Sequence, residues 1–87
     1  MENISDHITL KEAINSYTAK RQGIENIPND YQLTNMWALA YQVFEPLRKW
    51  VGGPIKINSF FRSPELNKAI GGSSKSQHCQ GRAIDID

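Results

Sequence analysis

The chain has 87 residues, which sets one domain as the ceiling. Hydrophobic residues make up 39%, enough for a globular fold rather than a disordered one, and a single cysteine excludes an internal disulfide framework. Ten Lys and Arg against nine Asp and Glu leave a net charge of +1, so composition points to neither nucleic acid nor a membrane surface as a partner.

Met1 to Thr9 is polar and carries two acids, unlike a signal peptide, and no apolar run is long enough to span a bilayer. The expectation is a cytoplasmic protein. Thr9 and Glu12 have the spacing of a capping box, which predicts a helix from Leu10 to Gln22 closed by Gly23. Leu10, Ala13, Ile14 and Tyr17 would form its apolar face. Ile24 to Asp30 contains Pro28, Asn29 and Asp30 and reads as a loop.

Gln32 to Val51 predicts the longest helix. Met36, Leu39, Ala40, Val43, Leu47, Trp50 and Val51 recur at helical spacing as one stripe. Pro46 lies inside it and predicts a kink or break near Phe44. Trp37, Phe44 and Trp50 are expected to pack in the core. Gly52-Gly53-Pro54 ends the element. Ile55 to Ser59 alternates as a half-buried strand. Ser63 and Pro64 open a helix over Pro64 to Ile70, and Gly71-Gly72 stops it. Ser73 to Gly81 reads as a polar loop. Arg82 to Asp87 alternates again, with Ile84 and Ile86 facing the core and Ala83 and Asp85 facing away. Helices, then strand, helix and strand, predict an α+β fold.

One stretch concentrates the chemistry. Ser76 to Asp85 has the form S-x-H-x-x-G-x-A-x-D. His and Asp are both ligands of divalent zinc. His78 and Asp85 are seven residues apart, which on one straight strand would put them on opposite faces. Gly81 lets the chain turn between them, and the small Ala83 leaves room beside Asp85. At roughly one in twenty per position, a chance match to five fixed residues is rarer than about one in a thousand. The ordinary alternative is a loop histidine and a solvated strand carboxylate. Cys79 beside His78 points the other way in extended backbone, so it is expected to be a partly buried free thiol.

The pattern resembles the zinc D-Ala-D-Ala carboxypeptidase family, relatives of the lysostaphin-type and hedgehog-type metallopeptidases, in its phage and bacterial form. Ser16-Tyr17-Thr18-Ala19, Gly23-Ile24-Glu25-Asn26 and Val43-Phe44-Glu45-Pro46-Leu47-Arg48 are similar to the family's helical leader. Ser59 to Asn67 is similar to its S-G-Y-R-S-P-x-x-N stretch, and Ile70-Gly71-Gly72 to its V-G-G. The resemblance implies a helical leader followed by a small antiparallel sheet of the hedgehog type, its C-terminal strands missing. It implies a zinc cofactor held by His78 and Asp85. Arg62 would grip a substrate carboxylate or the developing oxyanion, and Ser76 would hydrogen-bond near substrate or metal. The substrate would be a peptidoglycan peptide, in cell-wall remodelling or phage lysis.

Two departures stand out. Phe60 and Phe61 replace the family's usual Gly and Tyr. The family's third ligand, a histidine, and its base, a Glu or Asp just before it, sit on a later strand that residues 1–87 do not contain. The remaining histidine, His7, lies in the polar leader without metal-site spacing. The expectation is therefore one partial peptidase-like domain, completed by a partner chain or oligomer if active. The alternative is a non-catalytic peptidoglycan-binding or virion module with an incomplete metal site.

Overall fold

Ile4 and Ile8 bracket Asp6-His7, and burying both requires the chain to fold back between them. The computed structural model describes residues 3–87. They open on an antiparallel hairpin in which β1, Asn3–Ser5, pairs with β2, Ile8–Thr9. Both isoleucines lie in the core. The polar leader expected over Met1 to Thr9 is thus corrected, and residues 1–2 of it lie outside the described residues.

The capping box forms as expected. Glu12 N–H donates to Thr9 Oγ1 at 3.1 Å, and Thr9 N–H donates to Glu12 Oε1 at 3.2 Å. Helix α1, Leu10–Ala13, starts there but does not continue to Gln22. The Ala13 carbonyl accepts the Phe61 N–H at 3.0 Å, so it is committed to a partner far along the chain. Ser16 is extended and caps a new helix, its Oγ accepting the Ala19 N–H at 3.2 Å. Helix α2, Tyr17–Gln22, follows, and Tyr17 faces solvent instead of extending the apolar stripe.

Asn29 and Gln32 form a second reciprocal capping box, each bond 2.8 Å. Helix α3, Asp30–Leu39, runs into a π-helical turn, Ala40–Phe44, and resumes as α4, Glu45–Val51. Pro46 explains the turn. It has no N–H to offer, and its ring crowds the carbonyl one turn back. The preceding turn widens, and Glu45 N–H reaches the Ala40 carbonyl. The break expected near Phe44 is this π turn. A wide turn keeps residues four apart on one face, so the buried line is Met36, Ala40 and Phe44. The expected stripe is corrected accordingly. Val43 and Val51 are exposed, Trp50 is 84% exposed, and Trp37 lies at the surface; of the three aromatics only Phe44 is in the core.

Strand β3, Ile57–Ser59, pairs antiparallel with β4, Asp85–Ile86, with Ile57 opposite Ile86 and Ser59 opposite Asp85. Both strands are shorter than their alternation predicts. Ile55, Ile57 and Ile84 pack against the core, whereas Ile86 is exposed, contrary to expectation. Between the strands lies α5, Pro64–Ala69, capped by Ser63 Oγ on the Leu66 N–H. A short 3-10 turn, Gln77–Gln80, interrupts the expected loop. The fold is α+β, with two antiparallel strand pairs around a core where Ile4, Ile8, Met36, Phe44, Phe60 and Phe61 meet. No helix among the described residues is long and apolar enough to cross a membrane.

The hairpin is fastened to α4 through one carboxylate. Glu45 Oε2 accepts from Ser5 Oγ at 2.6 Å and from the His7 N–H at 2.9 Å, while Oε1 lies 2.6 Å from His7 Nδ1. Burial alone would push the Glu45 carboxyl up. The hydrogen bonds from Ser5 and His7, with the His7 charge, outweigh it and hold the group below its ordinary value. A carboxylate whose folded value is lowered stabilises fully above its unfolded value and loses that contribution as pH falls through the folded one. Glu45→Gln is expected to lower stability by about 1 kcal/mol at neutral pH. The gap from the parent should close on acidification, as urea melts at neutral and acidic pH will measure.

Candidate metal centre

The loop that presents His78 is built against α3. Ser76 Oγ accepts the His78 N–H at 3.3 Å and starts the 3-10 turn. Gln32 Nε2 donates to the Cys79 carbonyl at 3.0 Å, and Asn35 Nδ2 donates to the Gln80 carbonyl at 2.9 Å. Gly81 closes the turn with φ of 76°, where a Cβ would stand 2.5 Å from the Gln32 carbonyl oxygen and 2.6 Å from Met36 Cγ. Both the backbone conformation and the contact with α3 therefore demand glycine.

The His78 ring is buried, and its Nδ1 lies 2.8 Å from the Phe60 carbonyl oxygen. A carbonyl only accepts, so Nδ1 is the donor to Phe60, and in the neutral form of the ring the lone pair stands on Nε2. Asp85 Oδ2 stands 3.3 Å from that Nε2. Charge-assisted hydrogen bonds are shorter, about 2.7–2.9 Å. Two ligands on one tetrahedral zinc, at bond lengths of about 2.0–2.2 Å, sit about 3.4 Å apart. The separation fits two ligands of one cation as well as a direct pair between the two groups. The turn at Gly81 brings together two residues that their spacing on a straight strand would have put on opposite faces. Among the described residues, no group of three His, Cys, Asp or Glu converges.

The profile of the Peptidase M15 family matches residues 6–87. The chain belongs to the Peptidase M15 family. Members of that family are peptidases, generally metal-dependent and usually with zinc. No curated protein and no solved structure matches the chain.

In this M15 chain Arg62 sits next to the pair, with Nη2 3.8 Å from Asp85 Oδ2. Its Nε donates to Ser59 Oγ at 3.2 Å and its Nη1 to Asn67 Oδ1 at 3.1 Å. Its backbone N–H donates to the His78 carbonyl at 3.2 Å, tying the two residues together. A cleft of about 340 Å³ opens beside Arg62, lined also by Asn15, Ser16, Thr18, Asn58 and Ser59. Ser76 reaches the site through the His78 backbone, as the cap of its turn. His7 is paired with Glu45 at the hairpin. Cys79 is a free, half-buried thiol, and burial raises its pKa against the lowering effect of Arg62. A raised thiol is a poor nucleophile and a poor ligand, which argues against a Cys-His pair.

Two supporting residues escape a reading of the motif alone. Asn26 is buried, its Nδ2 donating to the Ile14 and Phe61 carbonyls and its Oδ1 accepting the Ser63 N–H. It fixes the segment that carries Arg62. Asn67 is the other. Both stand inside the stretches similar to the family, and their type, a buried amide between backbone groups, is the signal that could have found them. Gly81→Ala is expected to cost about 2–4 kcal/mol, because neither the positive φ nor the Gln32 carbonyl can yield. Chemical denaturation monitored by circular dichroism checks it.

Proposed function

We propose that this M15 chain contributes His78 Nε2 and Asp85 Oδ2 as two ligands of a catalytic zinc, in an enzyme that hydrolyses peptidoglycan stem peptides. A D-Ala-D-Ala terminus is the leading substrate, and the cell wall is the site of action, in remodelling or phage lysis. The observation that supports this most is the 3.3 Å spacing between His78 Nε2 and the Asp85 carboxylate oxygen. A bound zinc supplies a Lewis acid and lowers the pKa of its water to about 7. Arg62 lies close enough to meet a peptide carboxylate or an oxyanion at the same point, with a planar fork of donors suited to either. The Phe60 carbonyl keeps the His78 proton on Nδ1 and so keeps Nε2 available.

A catalytic zinc needs three protein ligands and an open position. In this reading the third ligand and the general base come from outside residues 3–87, supplied by further chain or by a partner. A second reading follows from the observation that only two ligands converge among the described residues: a non-catalytic module that binds cell-wall peptide through Arg62.

Zinc titration by calorimetry tests the first reading. The chain is expected to take up one zinc, and His78→Ala should weaken binding by at least about tenfold. An unchanged affinity in that variant rejects the ligand assignment. With the remaining ligand supplied, Arg62→Lys should lower kcat/KM on a D-Ala-D-Ala peptide by roughly ten- to a hundredfold, since Lys cannot reproduce a bidentate grip. Its effect on stability should stay within about 1 kcal/mol. Peptide binding without any zinc-dependent hydrolysis would favour the second reading.

A further inference from the structure

Asn67 lies on α5, 2% exposed, with every polar atom of its side chain committed. Its Nδ2 donates to the Ser73 carbonyl at 2.6 Å, and its Oδ1 accepts from Arg62 Nη1 at 3.1 Å. Its backbone is held as well, the N–H donating to the Ser63 carbonyl at 2.9 Å and the carbonyl accepting the Gly72 N–H at 2.8 Å. The carboxamide has only one workable orientation. Turned over, its NH2 would face a guanidinium and its oxygen would face a carbonyl.

Gly72 completes the arrangement. A Cβ on Gly72 would stand 2.7 Å from Asn67 Cγ and 2.9 Å from its Nδ2, and nearer still to Oδ1. Its φ lies outside the left-handed region, so the backbone would accept alanine, and the obstacle is the Asn67 carboxamide itself. Arg62 has five N–H donors. Ser59 takes the one on Nε and Asn67 takes one on Nη1. The other three, two of them on the Nη2 that faces Asp85, remain for a substrate anion.

We propose that Asn67 is the positioning residue of Arg62, and that Gly72 is glycine because the Asn67 carboxamide fills the space beside it. The proposal rests on the reading of Arg62 as the cation that meets substrate. The Asn67 side chain bonds to Arg62 and the Ser73 carbonyl and to neither candidate ligand, so it acts through the guanidinium. A helix-stabilising role alone would leave the Arg62 side chain as ordered as before. A positioning role would not.

The Arg62 Nε–H resonance in proton–nitrogen NMR separates these, and it needs neither zinc nor activity. Asn67→Ala and Gly72→Ala should each speed its exchange with water by about tenfold while the amide spectrum stays folded. Unchanged exchange in either folded variant overturns the proposal. Should Asn67→Ala compromise the fold, Gly72→Ala reads the same coupling with every polar group retained. The pair of substitutions adds a second check. Once Asn67 is alanine, the Gly72→Ala change should no longer lower the melting temperature, and an undiminished loss overturns the packing claim. In a peptidase assay each single variant should raise KM about tenfold with kcat little changed, and Asn67→Ala should add nothing to Arg62→Lys. Additive losses overturn the positioning role. A parent enzyme that cleaves no stem peptide would sink the peptidase reading, and the exchange measurement would still decide the role of Asn67.

Discussion

The site depends on the hydrogen bond between His78 Nδ1 and the Phe60 carbonyl. It is buried, 2.8 Å long, and joins residues 18 positions apart. It fixes which ring nitrogen is bare and where that nitrogen points. The bond in turn depends on Phe60 being immobile. Phe60 and its neighbour Phe61 are both in the core, although neighbours in extended backbone ordinarily face opposite ways. The chain achieves this by passing between α1 and the Asn26 carboxamide, which take the Phe61 N–H and carbonyl respectively. Hydrophobic burial on either side of one peptide thus orients a polar ring. The two phenylalanines serve this purpose through the backbone and the core.

The second support is α3, forty-odd positions upstream of the loop it holds. Gln32 caps its own helix with Oε1 and reaches the Cys79 carbonyl with Nε2. One side chain thereby fixes both the start of the helix and the turn of the histidine. Gly81 lets the loop approach so closely that only a hydrogen fits against the Gln32 carbonyl. Carbonyls of a loop are ordinarily left to water. Here two of them are bonded to a helix, which removes freedom that a ligand would otherwise have to suppress on binding.

The parts legible in the sequence were those governed by neighbours in the chain. The Thr9–Glu12 box and the Ser63 cap depend on residues three apart, and both formed where expected. The convergence of His78 and Asp85 was also legible, because one glycine between them suffices to bring them together. What distant contacts decide was not. The first helix ends at Ala13 because its carbonyl is taken by Phe61. The hairpin was hidden because Ile4 and Ile8 stand in a polar stretch, and their partners are the core of α3 and the π turn. Trp50 was misplaced because the stripe was projected with a uniform helical period, which the π turn breaks just before it.

The two candidate ligands are held with unequal firmness, and that difference bears on how the pair could accept a cation. His78 is buried, and its ring is pinned. Asp85 has a side chain 60% exposed, on a two-residue strand that among the described residues pairs only with β3. A fixed nitrogen defines the position, and a loosely anchored carboxylate can adjust its distance to suit the ion. This works only if the carboxylate is not already consumed by Arg62. At 3.8 Å the guanidinium attracts Oδ2 without hydrogen-bonding to it. Ser59 and Asn67 hold Arg62 from its other side, so it cannot close the gap without breaking two bonds. The same restraint therefore keeps the guanidinium from closing on the oxygen of Asp85 that faces His78.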